Sequence, residues 1–252
     1  MPFFTFSCTE SCLLSLPLAI IPSILWLAFF YASATHREKI WDISRVAAWG
    51  VFIAIPVTII ELGFQWIFIG DARSPTPLGW FLYIFVGISL VEEFAKYAVV
   101  RAKAVGRTFF NQPQDAVLYM VAAALGFAAI ENLIYAAALA QSHADVFFII
   151  LQRGVTATSL HVIASASLGY FLAISLRAEV AQERFKTITV GIVFATMLHG
   201  LYNTFIINIE RNALAHEGLG ASIAFSWALV AILLALSCAV VLVAFRALAP
   251  KK

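Results

Sequence analysis

The stretch Ile88-Ser-Leu-Val-Glu-Glu-Phe-Ala-Lys-Tyr-Ala-Val-Val100 sets two adjacent carboxylates and an ammonium into apolar sequence. The apolar run begins at Pro77 and, carried on to Val100, is long enough to cross a hydrocarbon core of about 30 Å. A charge at mid-bilayer costs roughly 2.5–3.5 kcal/mol on insertion scales, so such residues usually have a function. The stretch therefore predicts a membrane-spanning helix whose charged residues have a function.

Helical spacing relates these three charges to one another. Lys96 lies one turn from both Glu92 and Glu93, so we expect it to pair with one of them. Adjacent carboxylates diverge by about 100° on a helix, and the second one then faces another partner. A purely structural ion pair between helices is the alternative interpretation.

Composition extends the membrane assignment to the whole chain. Hydrophobic residues make up 62% of the 252 residues and charged residues 12%, and the mean hydropathy is +0.93. Soluble domains of this length do not have such a composition. We predict one domain, residues 1–252, that is an all-α polytopic transmembrane bundle. The net charge of +2 is dispersed, so no nucleic-acid partner is expected.

The hydropathy pattern predicts about seven spans. The first lacks a basic leader and a clear cleavage site, so we interpret it as a span and not as a signal peptide. The run Val146–Gln152 is apolar but too short to span, and it is a candidate for an eighth, short or re-entrant piece. Cys8 and Cys12 would pair only if exported, and inert thiols are the favoured interpretation. The predicted spans are Leu13–Ala32, Val46–Gly70, Leu78–Val100, Ala116–Ala140, Val155–Leu176, Ile188–Ile209 and Ser222–Ala247.

The placement of lysine and arginine predicts the orientation. Twelve lie in alternate connections and in the C-terminal tail, against three in the others, Arg73, Arg153 and Arg211. This bias puts the N-terminus outside and the C-terminus in the cytoplasm, which requires an odd number of spans. The twelve are Arg37, Lys39, Arg45, Arg101, Lys103, Arg107, Arg177, Arg184, Lys186, Arg246, Lys251 and Lys252.

Further polar residues lie inside the predicted spans. Span four stacks Phe127, Glu131 and Tyr135 on one face, and span six places His199 and Asn203 on one face. Because lipid cannot satisfy such groups, we expect them to meet in one shared, water-filled site. Lys96 and Arg153, at the two ends of this layer, are not expected to neutralise all three glutamates by direct pairing. The in-span candidates are Glu61, Glu92, Glu93, Glu131, Asn132, His161, His199 and Asn203.

Such a cluster suits hydrolysis. A partly desolvated carboxylate can take a proton from water near neutral pH, and a histidine can orient that water or protonate a leaving amine. A His/Asn pair can stabilise a tetrahedral oxyanion. Zinc, aspartyl and serine protease mechanisms fit less well, because the chain has no His-Glu-x-x-His, Gly-x-Gly-Asp or Gly-x-Ser-Gly motif. All four aspartates fall in predicted connections, which leaves glutamate.

These residues resemble the PrsW family of intramembrane proteases, which is related to the CAAX prenyl endopeptidases and to the multi-pass scaffold subunit of γ-secretase. The resemblance extends from Leu16-Pro-Leu-Ala-Ile-Ile-Pro22 to Phe205. It is carried by Glu92-Glu93-x-x-Lys96, Phe127-x-x-x-Glu131-Asn132, His161 and His199-x-x-x-Asn203, in that order on spans three to six.

The resemblance implies an endopeptidase of the bacterial plasma membrane that makes the extracytoplasmic-side cut in a membrane-anchored anti-sigma factor. Glu92 and Glu93 would hold the catalytic carboxylate, with Lys96 as charge partner and Glu61 and Asn132 in support. Glu131, His161 and His199 would complete the water-activating and proton-transfer set. Asn203 stands where PrsW itself often has Asp and the CAAX enzymes have Asn, so the substrate can differ.

Two alternatives remain open from the sequence. A divalent metal such as zinc, held by Glu131, His161 and His199, would replace the favoured glutamate chemistry without a cofactor. A non-enzymatic scaffold or chaperone of membrane proteins would use the same polar residues as contacts between helices. In either case the expected partners are a membrane-anchored protein and the lipid bilayer.

Overall fold

A computed structural model describes residues 10–33, 39–70, 76–139, 146–214 and 221–248. Within these ranges the chain forms helices and no strand, which confirms the predicted all-α class. The helices are α1 (Glu10–Ser33), α2 (Ile40–Phe68), α3 (Pro77–Lys103), α4 (Pro113–Leu139), α5 (Val146–Arg177), α6 (Ala181–Leu214) and α7 (Ala221–Ala247). Cys8 and the side chain of Cys12 lie outside the described part.

Five helices, α2 to α6, are long and apolar enough to cross a membrane by length and composition. The described apolar portions of α1 and α7 are shorter, Pro17–Ala32 and Trp227–Val243. The helices correspond in order to the seven predicted spans. They form the bundle of an integral, multi-pass membrane protein.

The segment Val146–Gln152 corrects the sequence interpretation. It is no separate or re-entrant piece, because α5 is helical without interruption from Val146 to Arg177. The glycine at position 154 does not break the helix but lets α1 approach, since a Cβ there would lie 2.7 Å from Pro22 Cγ. Arg153, predicted at a membrane edge, consequently lies two turns inside a helix.

Helix α3 changes its winding just before the paired carboxylates. It begins with Thr76 as N-cap, whose side chain accepts a hydrogen bond of 3.0 Å from Gly79 N. Residues Pro77–Leu82 are α-helical, Tyr83–Leu90 form a π-helix, and Val91–Lys103 are α-helical again. The buried Ser89 hydroxyl donates to the Ile84 carbonyl at 2.8 Å within the wide segment. π-Helical turns are rare and occur frequently at functional sites.

Helix α4 is the central element and packs against α1, α2, α3 and α5. Small residues let α2 come close, because a Cβ on Gly50 would overlap the carbonyl of Ala123, and one on Gly126 would overlap that of Ala47. Such close approach is typical of helix pairs in membranes. Helices α5 and α6 both contact α3. The polar faces of α3, α4, α5 and α6 therefore converge inside the bundle.

The orientation in the membrane stays a prediction, and reporter fusions test it. A reporter active only in the cytoplasm is expected to be active when fused after Lys252 and silent when inserted at Gly218, because of the charge bias between connections. Activity in alkaline phosphatase fusions, which need export, should show the opposite pattern. The reverse result in both series would overturn the orientation.

Candidate active site

The ammonium of Lys96 lies at the centre of the polar cluster. Its Nζ donates to Glu92 Oε2 at 3.0 Å and to Glu93 Oε1 at 2.8 Å. A third contact of 2.8 Å reaches Nδ1 of His161 on α5. Lys96 is fully buried, and the three partners are nearly so. Both carboxylates thus bind the same lysine, whereas the sequence predicted pairing with one of them.

Glu93 extends the cluster to α6. Its Oε1 lies 3.0 Å from His199 Nδ1, and its Oε2 accepts a hydrogen bond of 3.2 Å from the Ser165 hydroxyl. An ionised carboxylate only accepts hydrogen bonds, so the proton in the contact with His199 belongs to Nδ1. Together with Lys96, Glu93 therefore has three hydrogen-bond partners from three helices.

His161 links Lys96 to Glu131 on α4. Its Nδ1 accepts from Lys96, because an ammonium can only donate. The other ring nitrogen, Nε2, then carries the proton and donates to Glu131 Oε2 at 2.7 Å. The rings of His161 and His199 lie 5.2 Å apart and nearly perpendicular. Both nitrogens of His161 are therefore engaged inside the protein.

Arg153 holds Glu131 from the opposite side. A terminal guanidinium nitrogen donates to Glu131 Oε1 at 2.6 Å, and Nε donates to Asn132 Oδ1 at 3.1 Å. The guanidinium lies over the Tyr135 ring, 3.6 Å from its centroid. Asn132 in turn donates from Nδ2 to the Thr158 hydroxyl at 3.2 Å. These contacts hold the Glu131 carboxylate in place, with Oε1 bound to Arg153 and Oε2 directed toward His161.

These ion pairs reach all three glutamates without neutralising them. Lys96 pairs with two glutamates and Arg153 with the third, so two cations face three carboxylates, and only the expectation that direct pairing would not reach all three is wrong. The physical reasons are the long lysine stem, which reaches both the i−3 and i−4 carboxylates, and the early start of α5, which brings Arg153 inside the bundle.

Sequence reasoning also missed two supporting side chains and the partners of a third. Thr158 and Ser165 lie three residues before and four residues after His161, on the same face of α5. Arg153 is a charge within an apolar run, and such a charge predicts a buried partner. The sequence signals for these residues are therefore the helical spacing from His161 and the charge of Arg153.

Two predicted site residues lie at the margin of the cluster. The carboxyl group of Glu61 faces Glu92, and its buried Oε1 has no hydrogen bond to any described residue. Asn203 is half-buried, one helical turn after His199, and makes no hydrogen bond within the described ranges. The Nε2 atom of His199 is likewise without a hydrogen bond in this part of the chain.

The cluster is less deeply buried on the side of Glu131. The Glu131 side chain is 24% exposed, whereas those of Glu92 and Glu93 are 3% and 0% exposed. Glu61, half-buried on α2, lies on the same side, with Tyr83 near both Glu61 and Tyr135. These residues lie on the parts of α2, α3 and α4 that the charge bias predicts to be extracytoplasmic.

The fold and the polar cluster together define a class of protein. A membrane-spanning helical bundle holds carboxylates, imidazoles and an ammonium in one connected cluster that is partly exposed at Glu131. Such groups bind and transfer protons, which acid–base hydrolysis requires. The fold and site together define an integral membrane protein with a buried cluster of groups that are able to transfer protons.

The comparisons with known proteins name the family. The model of the PrsW family of intramembrane metalloproteases matches residues 38–244. Similar relatives are Protease PrsW of Oceanobacillus iheyensis, 28% identical over 73% of this chain and 79% of the relative, and Protease PrsW of Bacillus subtilis, 25% identical over 77% and 82%. Protease PrsW of Clostridioides difficile is 24% identical over 77% and 79%. No solved structure matches the chain.

The chain belongs to the PrsW family of intramembrane proteases. It is therefore a protease, which sets aside the scaffold alternative. Its relatives are bacterial, which agrees with a multi-pass protein of the bacterial membrane.

The family's description as metalloproteases calls for a test of the residues present. One oxygen or nitrogen from each of Glu92, Glu93, His161 and His199 lies within 4.8 Å of the others. Glu131, which the sequence placed in the contingent metal set, is outside this group because it binds the far nitrogen of His161. The donor types suit zinc. However, the Lys96 ammonium bonds three of these residues at 2.8–3.0 Å, so the cluster as built does not fit a metal ion.

Proposed function

We propose that the chain hydrolyses a peptide bond of a membrane-anchored protein by glutamate-activated water, without a metal. The observation that supports this most directly is the position of Lys96, whose ammonium lies among Glu92, Glu93 and His161. A fixed positive charge there serves the electrostatic role that a metal ion would otherwise have.

The two adjacent carboxylates have different roles in this proposal. Glu93 accepts hydrogen bonds from Lys96, His199 and Ser165, and it is completely buried. Glu92 accepts a hydrogen bond from Lys96 and faces the carboxyl group of Glu61, so it has fewer donors around it than Glu93. Glu92 therefore keeps the capacity to accept a proton from water, whereas Glu93 orients Lys96 and His199.

The reaction then proceeds in two balanced steps. Glu92 takes a proton from a water molecule while the oxygen of that water attacks the scissile carbonyl carbon. The carbonyl oxygen becomes an oxyanion. The carbon–nitrogen bond then breaks as Glu92 returns the proton to the leaving amine. The Nε2 atom of His199, whose Nδ1 donates to Glu93, accepts the second hydrogen of the water and thereby orients the attacking oxygen.

Asn203 is the proposed donor to the oxyanion. It is half-buried, follows His199 by one turn and has no hydrogen bond within the described chain. An amide donor aimed at developing negative charge typically contributes about 10²–10³ in rate. The charge of Lys96 adds to this stabilisation in a medium of low dielectric constant.

Metal independence is the sharpest consequence of this proposal. Purified protein is expected to contain far less than one equivalent of zinc by elemental mass spectrometry, because Lys96 occupies the space among the ligands. Cleavage should persist in the presence of 1,10-phenanthroline. One equivalent of zinc in the wild type would contradict the proposal if the zinc content drops in both Glu93→Gln and His199→Ala and is unchanged in Glu183→Gln.

The partial exposure of Glu131 supports substrate entry from the predicted extracytoplasmic side. The resemblance to PrsW motivates an anti-sigma-factor-like substrate with cleavage on that side. Labelling of new N-termini tests this in a deletion strain that carries the wild-type or the Glu92→Gln gene. The expected result is a membrane protein that is cut on its extracytoplasmic side with the wild-type gene and uncut with the variant. Equal cutting with both genes would refute the proposal.

A further inference from the structure

A second polar site lies at the other end of α3. A pocket of about 260 Å³ is lined by Arg45, Trp49, Lys103 and Arg107. It is formed where α2 begins and where the chain turns after α3, at the end of the bundle predicted to be cytoplasmic. Lys103 Nζ lies 3.6 Å from the centroid of the Trp49 ring. Three cations therefore surround one small space.

No protein carboxylate in the described ranges neutralises these cations. The side chains of Arg45 and Arg107 form no ion pair and no hydrogen bond with described residues, and both are exposed. Asp42, one turn before Arg45, forms no ion pair with either of them. Three like charges in one pocket repel one another, and an anion between them relieves that repulsion.

The pocket is continuous with a lipid-facing apolar strip on α2. Trp49 is 39% exposed, and Phe52 and Ile55, further into the membrane on the same helix, are 62% and 52% exposed. Tryptophan is enriched at membrane–water interfaces. A ligand that is anionic at one end and apolar at the other fits this sequence of surfaces.

We propose that this pocket binds the headgroup of an anionic phospholipid. The phosphate lies among Arg45, Lys103 and Arg107, where guanidinium groups can bind its oxygens in pairs. An acyl chain follows Trp49 and Phe52 along α2. Zwitterionic lipids bind less well, because their own cation would face the three protein cations. The lipid bridges the first turns of α2 and the last turn of α3.

The test uses the purified full-length protein and dioleoyl-phosphatidylglycerol, with dioleoyl-phosphatidylcholine as the neutral lipid. Native mass spectrometry across a lipid titration measures the affinity of the first bound lipid. Phosphatidylglycerol is expected to bind preferentially, and Arg45→Gln/Arg107→Gln should weaken it about thirtyfold, at roughly 1 kcal/mol per cation.

Arg101→Gln/Arg177→Gln is the matched control, since both arginines are exposed and neither lines the pocket. It should keep wild-type affinity. Should the double pocket variant fail to fold, each single variant carries the test, with about a fivefold loss. Equal affinities for the two lipids, or equal losses in control and pocket variants, would overturn the proposal. Inorganic phosphate that displaces phosphatidylglycerol at comparable concentration would overturn the lipid as the source of the phosphate.

Discussion

The Glu92→Gln protein, reconstituted in liposomes with a validated substrate, is expected to cleave at least about 10²-fold more slowly than the wild type. Glutamine has nearly the shape of glutamate but cannot take a proton from water. The side chain accepts a hydrogen bond from Lys96 at 3.0 Å, and the amide oxygen of glutamine can accept the same bond. The fold is therefore preserved while the proposed base is lost.

Two measurements separate this loss from a general defect. Glu183→Gln removes an exposed carboxylate at the start of α6 and should cleave at the wild-type rate. The thermal unfolding temperature of Glu92→Gln in detergent should stay near that of the wild type. If Glu92→Gln cleaves normally while Glu93→Gln is inactive and folded, the roles assigned to the two carboxylates are wrong.

The second large effect is on stability. Replacing Lys96 by methionine is expected to cost roughly 3–5 kcal/mol, because it leaves two buried carboxylates without their counter-ion. His161 loses its hydrogen-bond donor in the same change. The measurement is the free energy of unfolding in mixed micelles. Lys186→Met, on an exposed part of α6, should change it little.

A compensating variant isolates the cause. Removing the whole charged group, as in Glu92→Gln/Glu93→Gln/Lys96→Met, should recover much of the lost stability, since a buried ion pair can be replaced at little cost. The triple variant should nonetheless be inactive. A triple variant that is even less stable than Lys96→Met would show that the lysine acts by packing, for example against the Phe127 ring 4.6 Å from Nζ.

Local spacing accounts for what the sequence could predict. The relation of Lys96 to Glu92 and Glu93 follows from helical geometry, and the hydropathy runs give the helices in order. That the histidines and Glu131 belong together followed from the cost of leaving polar groups in lipid. All these inferences use either distances along one helix or the inability of lipid to satisfy polar groups.

The remaining features depend on contacts between helices. That Arg153 reaches Glu131 depends on how α5 lies against α4, and on the start of α5 at Val146, before the predicted start at Val155. The central position of Lys96 requires His161 to approach from α5. The π-helical winding of Tyr83–Leu90 leaves no mark in the apolar sequence. Periodicity within one segment contains none of this information.

The π-helical segment also has a consequence for how this chain can change in length. In an ordinary α-helix, deleting one residue turns everything beyond it by about 100°, which would point Glu92 and Glu93 away from His161 and His199. A π-helical turn holds about one residue more than an α-helical turn. Loss of one residue between Tyr83 and Leu90 can therefore be absorbed by tightening the winding, with both flanking parts keeping their direction. Insertions and deletions among natural variants of this helix are expected to collect in these eight residues, while the segment from Val91 to Lys103 keeps a constant length.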